Sequence, residues 1–178
     1  MFLIEVDEEV SLRMLTARDA LPLFTLTNDS REHLNEWLPW VDMIQSEEDS
    51  LRFIKQTLQD YLDFHKVTTG ITYHGELVGV IGFNRIDTTN KIASIGYWLA
   101  KDFGRKGIMT RAVAAFMTYG FSNLLLNKIE IRVATGNERS RAIPERLNFI
   151  KEGIIRDAEK LNNVYVDHVL YGMLKDEW

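Results

Sequence analysis

Cysteine is absent from the chain. That excludes disulfides, thiolate zinc sites and a cysteine nucleophile, and it suits a reducing compartment. An excess of positive charge is absent too: 21 Lys and Arg stand against 26 Asp and Glu, for a formal net charge of -5. Broad binding to nucleic acid runs on clustered cations and is disfavoured. No apolar run is long enough to span a bilayer; the most apolar helical stretch, 112–121, is too short and too polar. The N-terminus, MFLIEVDEEV, is acidic where a secretion signal would be basic. Prolines number only 3, and no linker, low-complexity tract or internal repeat interrupts the chain. With 46% hydrophobic and 26% charged residues, these absences lead us to expect one soluble, cytoplasmic domain over residues 1–178.

What is present is a change of period along the chain. VSLRMLT (10–16) alternates like a strand. Residues 17–28 read as a short helix, and 30–40 as a second helical piece ending at Pro39. Residues 46–66 form the clearest amphipathic helix. Leu51, Ile54, Leu58, Tyr61, Leu62 and His65 recur at spacings of three and four, and Ser46 followed by acids resembles an N-cap. Strands follow at 67–74, 76–87 and 91–100, joined by turns at GEL and TTN. A helix at 107–123 places Met109, Ala112, Val113, Phe116, Met117 and Gly120 on one face. A strand at 128–135, a short helix at 137–148 and closing strands at 149–157 and 164–175 complete the chain. The expected fold is α+β: a mostly antiparallel twisted sheet of about 7 strands with helices on both faces.

One stretch points to a ligand. In YWLAKDFGRKGIMTRA (97–112), Gly104 and Gly107 bracket Arg105 and Lys106 between a strand and a helix N-terminus. The first N–H groups of a helix lack internal partners and carry partial positive charge, and glycine lets an anion approach them closely. Taken alone, G-x-x-G is more often a tight turn with solvated cations. It is not a P-loop, because Lys106 precedes the second glycine. Nor is it a dinucleotide fingerprint, since one glycine is missing. An RNA-binding KH module carries its G-x-x-G between helices in a usually basic domain.

The pair IGYWLAKDFGRKGIMTRAV and NERSRAIPERLNFIKEG resembles the GNAT superfamily of acetyl-CoA-dependent N-acetyltransferases, and within it the RimJ/RimL branch, which acetylates N-terminal amines of ribosomal proteins. The similarity spans roughly residues 8–175. The resemblance implies a loop of pattern [QR]-x-x-G-x-[GA] that wraps the pyrophosphate of coenzyme A with main-chain N–H groups. Here that loop is Gly104, Arg105, Lys106, Gly107, Ile108 and Met109. Gly104 and Met109 depart from the pattern, and Met109 leaves less room at the helix start. Thr110 would offer a hydroxyl to a phosphate, and Arg105 and Lys106 would reach the 3′-phosphate. The pantetheine arm would pair with backbone at Tyr97, Trp98 and Leu99. Core packing is the competing reading for one of those two aromatics, because strand neighbours face opposite ways. Asn137 and Ser140 match the second motif, N-x-x-S. Asn137 would contact the cofactor and Ser140 would protonate the leaving thiolate; a simple helix cap is the competing reading. Pro144 should bend that helix.

The reaction the resemblance implies is direct transfer, needing a neutral amine, an oxyanion donor near Leu99 and a proton for sulfur. No covalent intermediate and no metal are expected. An α-amine has a pKa of about 8 against about 10.4 for lysine, which favours a protein N-terminus as acceptor. Glu159, expected in the loop before the last strand, is the first candidate base, with His168 and Tyr165 next. His33 can face the acceptor groove, whereas His74 falls in a turn. Trp37 and Trp40, with Glu36, Asp42 and Glu47 nearby, would suit a cationic amine; core packing or a dimer contact are the alternatives. A small-molecule amine acceptor and a non-catalytic acyl-CoA-binding protein are the competing functions. Exposed aromatics and family precedent lean toward a homodimer.

Overall fold

The computed structural model describes residues 2–178. Strands β1 (Leu3–Glu5) and β2 (Val10–Arg13) open the chain, followed by helices α1 (Ala20–Asp29), α2 (Arg31–Asn35) and α3 (Glu47–Leu62). Strands β3 (Val67–Tyr73), β4 (Glu76–Asp87) and β5 (Ile92–Leu99) come next, then α4 (Ile108–Ser122), β6 (Lys128–Ala134), α5 (Glu138–Arg146), β7 (Ile150–Leu161) and β8 (Val164–Leu174). The eight strands form one sheet in the order β1-β2-β3-β4-β5-β6-β8-β7. All described pairs are antiparallel except β5 with β6. The expected α+β architecture therefore holds, with eight strands rather than seven. The extra one, β1, is three residues long; only its partner β2 makes it a strand, and so short a segment shows no period of its own.

Helices start where the chemistry says they should. Ser46 Oγ accepts the Asp49 N–H at 3.3 Å while the Asp49 carboxylate takes the Ser46 N–H at 2.9 Å, a reciprocal cap for α3. Ile54 lies fully buried on that helix, but Leu62 is 68% exposed and His65 falls beyond the helix end. The expected apolar stripe therefore stops a turn early. The helical piece at 30–40 breaks after Asn35, and Pro39 begins a 3-10 turn over Pro39–Met43 rather than ending a helix. Proline tolerates a first helical position because its missing N–H would be unpaired there anyway.

Two cores sit on opposite faces of the sheet. On one, Met109, Ala112, Val113, Phe116 and Met117 of α4 and Ile143 of α5 pack over Ile81, Phe83, Ile95, Ile131 and Tyr171. On the other, Leu23 of α1 and Ile54 of α3 pack with Val80 of β4, and Trp98 joins from β5. Residues 78–83 of β4 are buried on both faces, which explains their continuous apolar run. The α1–α3 side covers β3 and β4 and leaves the other half of the sheet, β6 to β7, open.

The feature that makes a site is a split. β5 and β6 pair in parallel only from Ile92 with Lys128 to Ile95 with Ile131. Beyond that, Gly96–Leu99 remain paired with β4 on one side, and β6 stays with β8 up to Ala134. A cleft thus opens between the carboxyl ends of two parallel strands, where ligands of open sheets bind.

Candidate functional site

At the mouth of the cleft β5 runs through a 3-10 turn, Lys101–Phe103, into α4. Arg105 (φ 65°) and Gly107 (φ 71°) are both left-handed. Gly107 caps α4 with no side-chain hydrogen bond, and no acid lies in the first turn. This contrasts with α3, whose first turn carries Glu47, Glu48 and Asp49 and caps itself. The N–H groups at the start of α4 thus have no side-chain cap. Met109 is buried, 7% exposed, and packs in the core with the rest of the α4 stripe. Thr110 is half-buried and Gly104 exposed. Lys106 is pinned, its Nζ 5.4 Å from the Tyr73 ring centre and 5.2 Å from that of Phe103. Arg105 is exposed and makes no ion pair among the described residues.

Strand alternation sends Tyr97 and Trp98 to opposite faces. Trp98 packs with Trp40, ring centres 6.0 Å apart. Tyr97 turns toward α5, where its hydroxyl donates to the Ser140 carbonyl at 3.0 Å and lies 3.3 Å from Ser140 Oγ. Burial pushes the Tyr97 pKa well above the ordinary tyrosine value, outweighing the Ser140 bond. Asn137 caps α5: its Oδ1 accepts the Ser140 N–H at 3.1 Å. Arg141 donates to the Thr135 carbonyl at 2.9 Å and to Tyr171 Oη at 3.1 Å, and Tyr171 donates to Glu145 at 2.6 Å. These bonds lash α5 to the sheet.

Glu159 lies on β7, not in a loop, because β7 runs on to Leu161. A register shift between Ile155 and Glu159 re-aims the strand, and the Asp157 N–H there (φ 47°) donates to Asp167 Oδ1 at 2.9 Å. Glu159 Oε2 and His168 Nε2 meet at 3.0 Å. Following the pairing from β5 through β6 to β8, His168 shares its face with Ala134, Arg132 and Trp98, and Glu159 pairs opposite Val166 on that same face. Ser140 and the Glu159–His168 pair thus stand on opposite sides of the sheet, with the β5–β6 split between them. Tyr165 is not brought in; it is 61% exposed beneath Lys160 at the hairpin tip. His74 is exposed in its turn, near Glu9, and His33 is half-buried on α2.

The segment after α2 reaches the cleft from the open side. A Cβ at Gly136 would sit 3.3 Å from Trp37 Cη2, so the indole lies against the turn just before Asn137. Arg31 holds the following loop by donating to the carbonyls of Val41 at 2.7 Å and Ile44 at 2.6 Å. Glu36, Asp42 and Glu47 are exposed; Asp42 accepts from Asn35 at 2.9 Å.

The GNAT acetyltransferase domain model matches residues 9–150. The chain belongs to the GNAT acetyltransferase family, in its RimJ/RimL branch. It is thus an acyltransferase by family. It is 39% identical over 180 residues to the putative ribosomal N-acetyltransferase YdaF of Bacillus subtilis (strain 168), covering 100% of this chain and 98% of that one. It is 32% identical over 173 residues to the ribosomal-protein-serine acetyltransferase of Escherichia coli (strain K12), covering 97% of each. Among solved structures, RimL, a ribosomal L7/L12 alpha-N-protein acetyltransferase in complex with coenzyme A, superposes with a TM-score of 0.95 at 28% identity, covering 99% of this GNAT chain and 100% of that one.

Some groups around this GNAT cleft escape sequence reasoning. Arg111, one turn into α4, clamps Asp7 at 2.6 Å and Glu9 at 3.0 Å and so ties the β1–β2 turn to the loop's helix; nothing local announces that pairing. The Trp37–Gly136 contact joins residues far apart in the chain. The Tyr97 hydroxyl has a fainter signal, the proline in α5, taken up below.

Proposed function

We propose that the protein transfers the acetyl group of acetyl-CoA directly to the N-terminal α-amine of a ribosomal protein, in the cytoplasm. The observation that carries this reading is the split between β5 and β6, with a hydroxyl on one side of the sheet and a carboxylate–imidazole pair on the other. Acetyl-CoA supplies the activated thioester. The free backbone of Tyr97, Trp98 and Leu99 along the cleft would pair with the pantetheine amides, and an N–H near Leu99 would donate to the developing oxyanion. Main-chain N–H groups from Gly104 through Gly107 to Ile108, Met109 and Thr110 would hold the pyrophosphate. Arg105, unpaired and exposed, suits the 3′-phosphate, with Lys106 beside it.

Ser140 would give its proton to the departing thiolate, while Asn137 holds its backbone. Glu159 would take the proton of the attacking amine, directly or through water, with His168 orienting its carboxylate. An α-amine is already about a tenth neutral at pH 7, so a modest base suffices. Trp37 and Trp40 would flank the acceptor, with Glu36 and Asp42 favouring its cationic form on approach.

Thiol release from acetyl-CoA tests this, screened over ribosomal-protein N-terminal peptides, the same peptides N-acetylated, lysine-containing blocked peptides and polyamines. Turnover is expected with free N-termini alone. Preference for lysine or polyamine acceptors would refute the α-amine assignment.

A further inference from the structure

Pro144 stands four residues after Ser140, inside α5. In an α-helix the carbonyl of residue i accepts the N–H of residue i+4. Proline has no N–H, and its ring pushes that carbonyl outward. The Ser140 carbonyl is therefore deprived of its helical donor, and a half-buried carbonyl without a partner is costly. A side chain from another element replaces it: Tyr97 Oη donates at 3.0 Å. Tyr97 sits on β5 beyond the last β5–β6 pair, at the cleft.

The consequence falls on the serine hydroxyl. Once bound to the carbonyl, the Tyr97 hydroxyl lies beside Ser140 Oγ, 3.3 Å away, with lone pairs free to accept its proton. Asn137 already holds the Ser140 N–H at 3.1 Å. The N–H, the carbonyl and the hydroxyl of one residue are thus all gripped by side chains. A helix cap needs only the first of these.

We propose that Tyr97 is a positioning residue for Ser140. Pro144 vacates the serine carbonyl, the Tyr97 hydroxyl fills it, and that hydroxyl fixes Oγ at the β5–β6 cleft. The inference rests on Ser140 being the proton donor to the leaving thiolate. When the Oγ–H turns to sulfur, the Tyr97 hydroxyl stays on the Ser140 carbonyl and keeps the residue at the cleft. Tyr97 keeps its own proton throughout; the thiolate gains the serine proton, and the proton that Glu159 takes from the amine returns through water to Oγ, so both groups regain their starting forms.

Kinetics of Tyr97→Phe, Pro144→Ala and Ser140→Ala test this, with acetyl-CoA and a peptide bearing a free N-terminal serine, alongside thermal melts. Tyr97→Phe should lower kcat roughly 3- to 10-fold, the worth of one neutral hydrogen bond, with KM for acetyl-CoA unchanged. In a Ser140→Ala background it should cost nothing more. Pro144→Ala restores an N–H that competes for the carbonyl, so Tm should rise while kcat falls; a purely structural role moves both the same way. A Tyr97→Phe enzyme with wild-type kcat, or losses for Tyr97→Phe and Ser140→Ala that multiply, would overturn the inference. Full activity of Ser140→Ala would remove the proton-donor role itself, a result distinct from an inert Tyr97→Phe beside an impaired Ser140→Ala. Independently of turnover, a crystal structure of Tyr97→Phe should show Ser140 Oγ in a changed rotamer; an unmoved Oγ would also overturn it.

Discussion

A methyl group at Gly107 meets no atom within 4 Å, yet the residue sits at φ 71°. Gly75, in the β3–β4 turn, shares both properties, with φ 83° and open space around it. Alanine at either position therefore carries the same cost, left-handed strain of about 1 kcal/mol. For a chain of this size that lowers Tm by about 2–4 °C. The two sites differ in what lies outside them. If the pyrophosphate of acetyl-CoA approaches the backbone at the start of α4, a methyl on Gly107 pushes it away from at least one N–H. A hydrogen bond to a charged group contributes about 1.5–3 kcal/mol, so KM or Kd for acetyl-CoA should rise at least about tenfold. Gly75→Ala should leave both constants unchanged. Thermal melts with and without acetyl-CoA read both terms together, because ligand stabilisation follows the affinity of the folded state. Equal Tm losses with equal, undiminished ligand shifts would refute the assignment of this loop to the phosphates.

Arg111→Gln should loosen the β1–β2 turn and lower Tm at neutral pH. The Asp7 carboxyl lies below its ordinary value of 3.8, chiefly through the Glu9 N–H and further through Arg111; a depressed carboxylate stabilises above its unfolded pKa and loses that effect as pH falls through the folded one. The Tm gap between wild type and Arg111→Gln should therefore close below about pH 4, and a gap constant from pH 7 to pH 3 would contradict the pairing. Glu159→Gln should lower kcat by about a hundredfold with little change in KM for acetyl-CoA, and His168→Gln by less; steady-state rates check both, and an acceptor of low amine pKa should shrink the loss. Gly136→Val should displace the Trp37 indole, whose ring lies 3.3 Å from the first added carbon, and raise the acceptor KM while sparing that of acetyl-CoA. An unchanged acceptor KM would leave Trp37 as packing alone.

Much of the frame was legible along the chain because its causes are local. The α4 stripe from Met109 to Gly120 follows a helical period and is buried throughout. The Ser46–Asp49 and Asn137–Ser140 caps need only residues three apart. Gly75 and Gly107 mark left-handed backbone at their turns. The expectation fails where local signals compete or fade: β1 is too short to show a period, Pro39 starts a turn instead of ending a helix, and β7 runs on past Asp157 through Glu159 and Lys160, polar residues that read as loop until β8 pairs with them.

By itself the sequence determined the order of elements, the cap and glycine geometry at the start of α4, and the family to which these belong. Each depends on neighbours a few bonds away, whose preferences survive in any context. Tertiary structure alone decided that β5 and β6 part after Ile95 and Ile131. It brought Glu159 to His168, Trp37 to Gly136, and Arg111 to Asp7 and Glu9. It also turned Pro144 from a flaw in a helix into the vacancy that Tyr97 fills. Those pairings join residues far apart in the chain, and only the closing of the sheet sets the distances between them.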